Sequence, residues 1–402
     1  MAPVTSGPRR IGVCPARFGE GLVGGAEIVL AQIGLGLAAR GWEVEVLTTT
    51  ARDHFTWAND YEPGVSEQGG LVVRRFPAVI DTPGAERAEA ERAMHAGSPL
   101  TLAQQQRWIN DGVRVPELWH HLLDTSHTYD ALLLGPYPFW PTFAGSQVAP
   151  DRSVLWTCLH DEPYAYLDLF SPMLSGVAGL LLQTEPEHEL AHRVAPRLAP
   201  HAVTGCGVEV PASYDPDGFR ARYGIEGPFL FYAGRREGAK GWEDLLRGFA
   251  SATVRRGLPF SLVTCGGGEV DPPAEIAERV VDLGFLPDAE RDNAFAAAAA
   301  YLQPSRYEAF SRTVMEAWLA GTPVVANGGS AVVRHHCETS GAGLLYDDEL
   351  ELEECLAFLA EQPQAAADLA RPGRAYVLGN YQWPDVLDRI EAALETFTGR
   401  SA

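Results

Sequence analysis

The sequence predicts an α/β protein with two domains, each built on a doubly wound parallel sheet. Short continuous apolar runs recur along the chain and alternate with helical segments, as expected for buried parallel strands joined by crossover helices. The alternation runs through once, is interrupted by glycines and prolines near residue 205, and then begins again. The length of 402 residues also suits two domains better than one.

The first domain, placed at 1–208, opens with a βαβ unit. A strand is predicted over 10–14, and after a glycine-rich loop a helix over 26–39 ends at Gly41, before a second strand over 43–47. Further buried strands are predicted at 131–134, 154–158 and 179–182. The stretch between these two groups, from about 50 to 128, follows neither pattern and predicts an irregular insertion of the kind that forms binding loops or lids.

The second domain, placed at 209–378, repeats the alternation. Its predicted strands lie at 229–233, 260–264, 280–284, 301–302 and 322–326. Its predicted helices lie at 242–250, 291–300 and 313–320. A C-terminal segment, 379–402, contains an amphipathic helix, because apolar residues recur at helical spacing from 383 to 397.

The charge balance limits the partners. The formal net charge of −22 repels nucleic-acid phosphates and anionic lipid headgroups, so we expect no nucleic-acid partner and no stable membrane association. No run approaches the roughly 20 apolar residues that span a bilayer, and the first residues do not resemble a signal peptide. Six scattered cysteines without a C-x-x-C pair are typical of reduced thiols, so we expect a cytoplasmic protein.

Lys240 is the only lysine among 31 basic residues. A Walker A loop requires Gly-Lys-Ser/Thr, but here Ala239 precedes the lysine and Gly241 follows it, which excludes a P-loop nucleotidase. A composition bias toward arginine explains the scarcity of lysine. Lys240 is still a candidate for a role that a compact ammonium fills and a planar guanidinium does not.

Residues 188–192 match the zinc-binding pattern H-E-x-x-H, which places two imidazoles on one helix face. The extended pattern requires Gly and His at positions that Ala195 and Leu198 occupy, and Pro196 ends the helix within a turn. We therefore interpret the segment as a short exposed helix after a buried strand and predict no metal site.

Residues 19–24 match G-x-G-x-x-G between a strand and a helix, with Glu43 and Glu45 about 20 residues on. This pattern admits a nicotinamide-dependent oxidoreductase as an alternative function. The loop is longer than a single tight pyrophosphate turn, however, and another glycine, Gly25, follows it. Exposed backbone N–H groups at a helix start suit a phosphate in either case.

Two cations follow the strand that ends at Ala233. Arg235 and Lys240 lie in a glycine-rich loop at the carboxyl end of a parallel strand, which is where open α/β sheets bind ligands. Such a pair would neutralise a departing diphosphate. A solvated basic loop is the alternative.

A second loop, 304–316, follows another buried strand and opens a helix. Glu308 lies in the loop and Glu316 near the helix start, and both are acceptors suited to sugar or ribose hydroxyls. The N–H groups near Ser311–Val314 form a positive helix end suited to phosphate. Thr313 and Glu316 also have capping-box spacing, so Glu316 could instead cap its own helix.

These motifs in this order resemble the family-four retaining glycosyltransferases. The resemblance rests on Gly24-Gly25-Ala26-Glu27, Gly234-Arg235 with Lys240-Gly241, Pro304-Ser305 with Glu308-x₇-Glu316, and Gly321-x-Pro323-Val324-Val325. It covers nearly the whole chain, is densest from 229 to 346 and weakest from 50 to 128. It implies the GT-B architecture of two facing Rossmann-like domains, with a C-terminal helix that packs back on the first.

The resemblance also implies roles for particular residues. Arg235 and Lys240 would bind the nucleotide diphosphate, with the amides of Phe310, Ser311, Arg312 and Thr313 and the Gly24-Gly25 loop completing the phosphate site. Glu316 would accept from the ribose and Glu308 from the transferred sugar. His160 resembles the family's histidine near the reacting carbon, although a His-Asp pair after a strand is also common as a structural feature.

One departure concerns Ser311 and Arg312. The family commonly has glycine and an apolar residue at these two positions. A close approach of this backbone to the sugar is therefore less favoured in this chain.

We therefore expect a retaining glycosyltransferase that moves a hexose-like sugar from a nucleotide diphosphate sugar to a small or soluble acceptor hydroxyl. The first domain would bind the acceptor and the second the donor, in a monomer or homo-oligomer. No metal and no resident cofactor is expected, because Arg235, Lys240 and the helix end already supply positive charge. A noncatalytic sugar-nucleotide binding protein is the other alternative.

Five of the nine tryptophans, all in the first domain, are candidates for contact with a sugar acceptor, which aromatic faces would suit: Trp57, Trp108, Trp119, Trp140 and Trp156. Trp156 fits a buried core position equally well.

Overall fold

The computed structural model describes residues 9–19, 21, 24–53, 56–80 and 85–399. The chain divides into two compact units. One comprises the residues up to Cys206 together with those from Pro384 onward, and the other comprises Gly207–Trp383. No described helix is both long enough and apolar enough to cross a bilayer.

The first unit contains an eight-stranded sheet flanked by helices. Its elements are β1 (Arg10–Pro15), α1 (Gly25–Ala39), β2 (Glu43–Thr49), β3 (Gly64–Gln68), β4 (Leu71–Phe76), α2 (Ala85–His95), α3 (Leu102–Asn110), α4 (Pro116–Thr125), β5 (Ala131–Gly135), α5 (Trp140–Ser146), β6 (Ser153–Trp156), α6 (Phe170–Gly176), β7 (Gly179–Leu182), α7 (Glu185–Val194) and β8 (His201–Val203). The strand order is β3-β4-β2-β1-β5-β6-β7-β8. The β3–β4 pair is antiparallel and the other pairs are parallel.

The expectation of an irregular insertion from about 50 to 128 was wrong. The stretch forms the β3–β4 hairpin and helices α2 to α4, and Trp108, Leu118 and Leu122 join the same hydrophobic core as β5 and β7. The hairpin turns at two glycines with positive φ, and α3 begins with a complete capping box between Thr101 and Gln104. The polar strand β3 and the charged helix α2 lack the apolar periodicity that would have revealed them.

The second unit contains a six-stranded sheet in which the described strand pairs are all parallel. Its elements are α8 (Pro216–Tyr223), β9 (Phe229–Ala233), α9 (Trp242–Arg256), β10 (Ser261–Cys265), β11 (Val280–Asp282), α10 (Asp288–Ala297), β12 (Ala300–Gln303), α11 (Arg312–Leu319), β13 (Val324–Asn327), α12 (Ala331–Ser340), β14 (Leu344–Tyr346), α13 (Glu349–Glu361), α14 (Pro363–Asp368) and α15 (Ala370–Asn380). The strand order is β11-β10-β9-β12-β13-β14.

The alanine-rich stretch ends its helix earlier than predicted. α10 stops at Ala297, and Ala300 already belongs to β12, where it pairs with Leu230 of β9. Helix propensity favoured a longer helix, but the buried sheet position prevails because β12 lies between β9 and β13.

The last helix, α16 (Trp383–Thr398), packs within the first unit from Pro384 onward. A Cβ atom on Gly36 of α1 would lie 2.3 Å from Leu387 Cδ1, so only glycine permits this approach. The indole N–H of Trp42 donates to Glu391 at 2.7 Å. The boundaries in the structure follow Cys206 and Trp383, compared with 208 and 378 in the prediction.

Candidate functional site

The candidate site lies at the carboxyl edge of the second sheet. The strand order places β9 next to β12, and the chain runs outward from these two strands in opposite directions, so the topological switch point falls between them. Loops that follow β9 and β12 therefore flank the crevice in which open α/β sheets bind ligands.

The loop after β9 is fixed by a buried arginine. The side chain of Arg236 is only 2% exposed and forms an ion pair with Asp282. It also donates to the carbonyl oxygens of Gly266 and Gly268 at 2.9 and 3.0 Å, which ties the loop after β9 to the loop after β10. Gly266 has φ of +130°, and a Cβ atom there would lie 2.1 Å from the Gly234 carbonyl oxygen.

Arg235, the neighbour of Arg236, remains accessible. Its side chain is 40% exposed, and Nη2 lies 3.0 Å from Glu237. The Tyr232 hydroxyl donates to the Arg235 carbonyl at 2.5 Å and anchors the backbone at this position. The two adjacent arginines therefore have different roles, one structural and one directed to the surface.

Lys240 and Glu308 meet across the switch point. Lys240 Nζ lies 2.8 Å from Glu308 Oε1, and the two side chains are 25% and 13% exposed. The lysine follows β9 and the glutamate follows β12, so the fold brings together two residues that are 68 positions apart. Lys240 is therefore not a solvated residue of a basic loop, and its charge is already partnered.

The position of Lys240 depends on Gly241. Gly241 has φ of +72°, and a Cβ atom there would lie 2.5 Å from the Pro304 carbonyl oxygen. Asn327 Nδ2 donates to the same carbonyl at 3.1 Å. The loops after β9 and β12 and the end of β13 therefore converge at Pro304, which places the Lys240-Gly241 motif beside the Pro304-Ser305 motif.

Helix α11 begins with a left-handed residue. Ser311 precedes the helix with φ of +63°, a conformation that favours glycine, and its hydroxyl accepts from Gln303 Nε2 at 2.5 Å. This hydrogen bond supports serine at a position where the family commonly has glycine. The capping-box alternative for Glu316 was wrong, because Ser311 is the N-cap and Thr313 Oγ1 instead accepts from the Tyr301 hydroxyl.

Glu316 lies among charged groups of α10 and α11. Its carboxylate is within 3.5 Å of Arg291 and 3.4 Å of Arg312, and its side chain is 10% exposed. Burial, together with the nearby Glu316, raises the pKa of Asp292 to about 6. Nε of Arg291 and Nε of Arg312 are buried and lack a hydrogen-bond partner within the described residues. Both arginines therefore retain unused donors beside Glu316.

The Phe310 side chain belongs to the core, because it is 3% exposed and packs edge-on against His336 and Tyr381. His336 is fully buried, and burial lowers its pKa to about 3, which keeps the imidazole neutral. Only the backbone of Phe310 can serve a ligand.

In the first unit, Gly24 and Gly25 introduce α1. Gly24 lies against a buried ion pair, since a Cβ atom there would be 2.3 Å from Glu27 Oε2. Arg17 Nη2 and Glu27 Oε1 are 2.6 Å apart, with side chains 4% and 7% exposed. Residues 20, 22 and 23 of the G-x-G-x-x-G pattern lie outside the described residues.

His160 lies in the loop after β6. Its Nδ1 is 3.8 Å from Glu162, and its side chain is 29% exposed. Glu162 in turn accepts from the Tyr137 hydroxyl at 2.8 Å. Cys158, two residues earlier, has φ of +52°. Contacts with residues outside the loop must therefore stabilise this backbone conformation.

Sequence reasoning missed the residue that provides this support. Glu187 of α7 is 1% exposed and accepts from Thr157 Oγ1 and the Leu159 N–H, both at 2.7 Å. Burial raises its pKa to about 7, against the effect of these hydrogen bonds. The signal was a glutamate in the first turn of a capped helix, which alone indicates only a favourable dipole position.

The tryptophans do not form a common face. Trp57, Trp108 and Trp156 are at most 8% exposed and belong to the core. Trp108 stacks on Tyr164 with ring centroids 5.2 Å apart. Trp119 is 36% exposed, and Trp140 is half-buried and donates to Asn110 at 3.0 Å. Only these last two of the five remain as candidates for contact with a ligand.

The family model for glycosyl transferases group 1 matches residues 227–362, which contain the loops described above for the second unit. A D-inositol 3-phosphate glycosyltransferase of Saccharomonospora viridis is 27% identical over 98% of this chain and 96% of its own length. The second unit is therefore similar to the group 1 glycosyltransferases, and the whole chain is similar to a curated glycosyltransferase. A 2-deoxystreptamine glucosyltransferase of Streptomyces kanamyceticus is 33% identical over 33% of this chain and 38% of its own length.

The similarity to solved structures shows that the chain has the GT-B fold. Sucrose-phosphate synthase from Thermosynechococcus elongatus gives a TM-score of 0.72 at 18% identity, covering 98% of this chain and all of that one. Anabaena HepE in complex with UDP and glucose gives 0.71 at 17% identity, covering 96% and 100%. At sequence identities of 17% and 18%, the structural similarity establishes the fold alone.

Proposed function

We propose that this protein transfers a hexose-like sugar from a nucleotide diphosphate sugar to a small or soluble acceptor hydroxyl, with retention of the anomeric configuration. The observation that carries the proposal is the contact between Lys240 and Glu308 at the switch point of the second sheet. It places a cation next to an acceptor for hydroxyl groups. A sugar diphosphate carries the complementary groups, an anionic diphosphate and sugar hydroxyls, within one ligand.

The donor diphosphate would bind at the loop after β9. Arg235 and Lys240 would neutralise the charge that develops as the sugar leaves, and the first amides of α11 would add a positive helix end. This is electrostatic stabilisation supplied by the protein itself, so the proposed reaction requires no metal ion.

Glu308 would accept hydrogen bonds from hydroxyls of the transferred sugar. Its pairing with Lys240 argues against a role as covalent nucleophile, because a carboxylate neutralised by an ammonium at 2.8 Å is a weaker attacking group. Glu316, with Arg291 and Arg312 beside it, would accept from the nucleotide ribose.

Because no carboxylate is assigned as a covalent nucleophile, we propose a same-face reaction. The bond from the anomeric carbon to the diphosphate oxygen breaks, and the acceptor oxygen forms its new bond on the face that the diphosphate leaves. The departing phosphate oxygen takes the proton of the acceptor hydroxyl. His160 would act near the reacting carbon, and the first unit would bind the acceptor.

A sugar-nucleotide panel tests donor binding. HepE and a further solved structure with a TM-score of 0.69 carry UDP or UDP-2-fluoro glucose, so UDP-sugars are the first to test, followed by GDP- and ADP-sugars. A donor at 100 times its Kd adds about 2.7 kcal/mol, which is a rise of several degrees in melting temperature. Failure of every sugar nucleotide to raise it would contradict the proposal.

Analysis of the products tests sugar transfer and its stereochemistry. We expect slow release of nucleoside diphosphate without an acceptor, and, with an acceptor, a product whose anomeric configuration by NMR equals that of the donor. Binding without any release would instead indicate a noncatalytic sugar-nucleotide binding protein. Inversion of configuration would contradict the same-face mechanism.

A further inference from the structure

Three histidines of the first unit meet on its surface, away from the loops described above. They are His188 and His192 of α7 and His201 of β8, and one ring nitrogen of each lies within 4.8 Å of the other two. The Nε2 atoms of His188 and His192 are 3.1 Å apart. His188 is half-buried, whereas His192 and His201 are exposed, so an ion can reach the cluster from solvent.

The local fold explains why the three rings meet. His188 and His192 are four residues apart on α7 and so share one face of that helix. The helix ends at Val194, and the chain returns through residues 195–200 to begin β8 at His201, which pairs with Leu180 of β7. The sequence pattern lacked a third histidine at position 198, and the start of the edge strand supplies it three residues later.

A hydrogen bond orients the His201 imidazole, and a carboxylate lies behind the His188 imidazole. His201 Nδ1 lies 3.0 Å from the Ala199 carbonyl oxygen, which can only accept, so Nδ1 carries the proton and Nε2 keeps its lone pair. His188 Nδ1 lies 3.5 Å from the Glu185 carboxylate, which favours the same tautomer. A carbonyl or carboxylate behind each ring is the usual second layer of a histidine metal site.

The spacing of His188 and His192 suits a tetrahedral ion. Zinc–nitrogen bonds of about 2.0–2.1 Å at tetrahedral angles separate two ligand nitrogens by about 3.4 Å. The 3.1 Å between His188 and His192 differs from this by a few tenths of an ångström. Imidazole ligands without thiolates suit Zn²⁺, Cu²⁺ and Ni²⁺ rather than Mg²⁺ or Ca²⁺.

We propose that His188, His192 and His201 bind one divalent transition metal ion of the Zn²⁺ type, with solvent in the fourth position. The ion joins the carboxyl end of α7 to the start of β8 and closes the 195–200 loop. Since β8 begins there, the site lies at the edge of the sheet where the strands start, whereas His160 follows the carboxyl end of β6. The proposal is therefore independent of the sugar-transfer function.

The test measures Zn²⁺ binding to the untagged full-length chain by equilibrium dialysis and by the Zn²⁺-dependent rise in melting temperature. We expect one ion per chain and a loss of affinity of at least about tenfold in His192→Ala and in His201→Ala, since each removes a ligand. His120→Ala is the matched control, because that exposed histidine of α4 lies outside the cluster. Its binding should equal that of the parent.

A conservative variant tests the second layer. Glu185→Gln keeps all three imidazoles and removes the charge behind His188, so affinity should fall by about tenfold while the stoichiometry stays at one. Affinity should also fall on acidification, because the metal binds neutral imidazole. Binding weaker than millimolar, or binding that His192→Ala and His201→Ala both leave unchanged, would overturn the proposal.

Discussion

The two sheets use buried charge differently at their carboxyl edges. In the first unit, Arg17 and Glu27 neutralise each other with side chains at most 7% exposed. In the second unit, Arg236 is buried to the same degree, but its neighbour Arg235 is 40% exposed and Lys240 is 25% exposed. Buried pairs hold a loop in shape, whereas partly exposed pairs leave charge that a ligand can reach. The comparison therefore supports the proposal that the second unit binds the anionic donor.

The most damaging change should be the loss of one partner of the buried pair. Arg17→Ala leaves Glu27 buried and uncompensated, which typically costs about 3–5 kcal/mol. The urea midpoint of the first unit should fall sharply. The double variant Arg17→Met/Glu27→Leu should recover much of the loss, because it leaves no buried charge alone. Equal destabilisation in the single and double variants would show that the pairing itself is unimportant.

The Lys240→Ala variant tests the partly exposed ion pair of the second unit. If this lysine stabilises the departing diphosphate, turnover should fall by about two orders of magnitude or more, with little change in melting temperature. Arg247→Ala is the matched control, because Arg247 is 63% exposed and pairs with Asp244 in α9 beyond the loop. Near-normal turnover in Lys240→Ala would refute its role in the reaction.

Glu187 gives the first unit a distinctive pH dependence. Its pKa is raised from 4.5 to about 7, so its contribution to stability is fully present below pH 4.5 and is lost as the pH rises through 7. The melting temperature of the parent should therefore fall by a few degrees over this range, relative to Glu187→Gln. Asp292 and His336 titrate in both proteins, so the difference between the two curves isolates Glu187. Parallel curves would contradict the assignment.

The smallest expected effect concerns Ser311. Ser311→Gly relieves the left-handed strain but loses the hydrogen bond from Gln303, so stability should change by less than about 1 kcal/mol. Ser311→Ala keeps the strain and also loses the bond, so it should be the less stable of the two variants. The reverse order in thermal unfolding would show that strain at this position is negligible.

Much of the second unit could be predicted from its sequence. Its strands are short continuous apolar runs, and buried parallel strands leave this pattern clearly. Gly241 was recognisable as part of a motif, but the reason for it, the approach to Pro304, depends on a strand order that no local pattern specifies. The motif singled out Arg235, but no local pattern predicts that Arg236 is buried, since their different exposure arises from the loop after β10.

The contacts that cross from one element to another were the least predictable. Lys240 and Glu308 were each singled out, but for separate contacts with a ligand rather than for contact with each other. His201 was not singled out at all, because its relation to His188 comes from the register of β8 on β7. Helix α2 was missed for a different reason, namely that its sequence is too polar to show apolar periodicity.

The Lys240–Glu308 pair means that the protein carries its own counter-anion. On the proposed function, a free phosphate that approaches Lys240 competes with the Glu308 carboxylate already in place and brings no sugar hydroxyls to Glu308. A sugar nucleotide brings hydroxyl donors for Glu308 together with the charge for Lys240. On this proposal, the Lys240–Glu308 ion pair separates for a sugar nucleotide, which supplies new partners for both side chains. The pair would thereby favour the sugar nucleotide over a free anion.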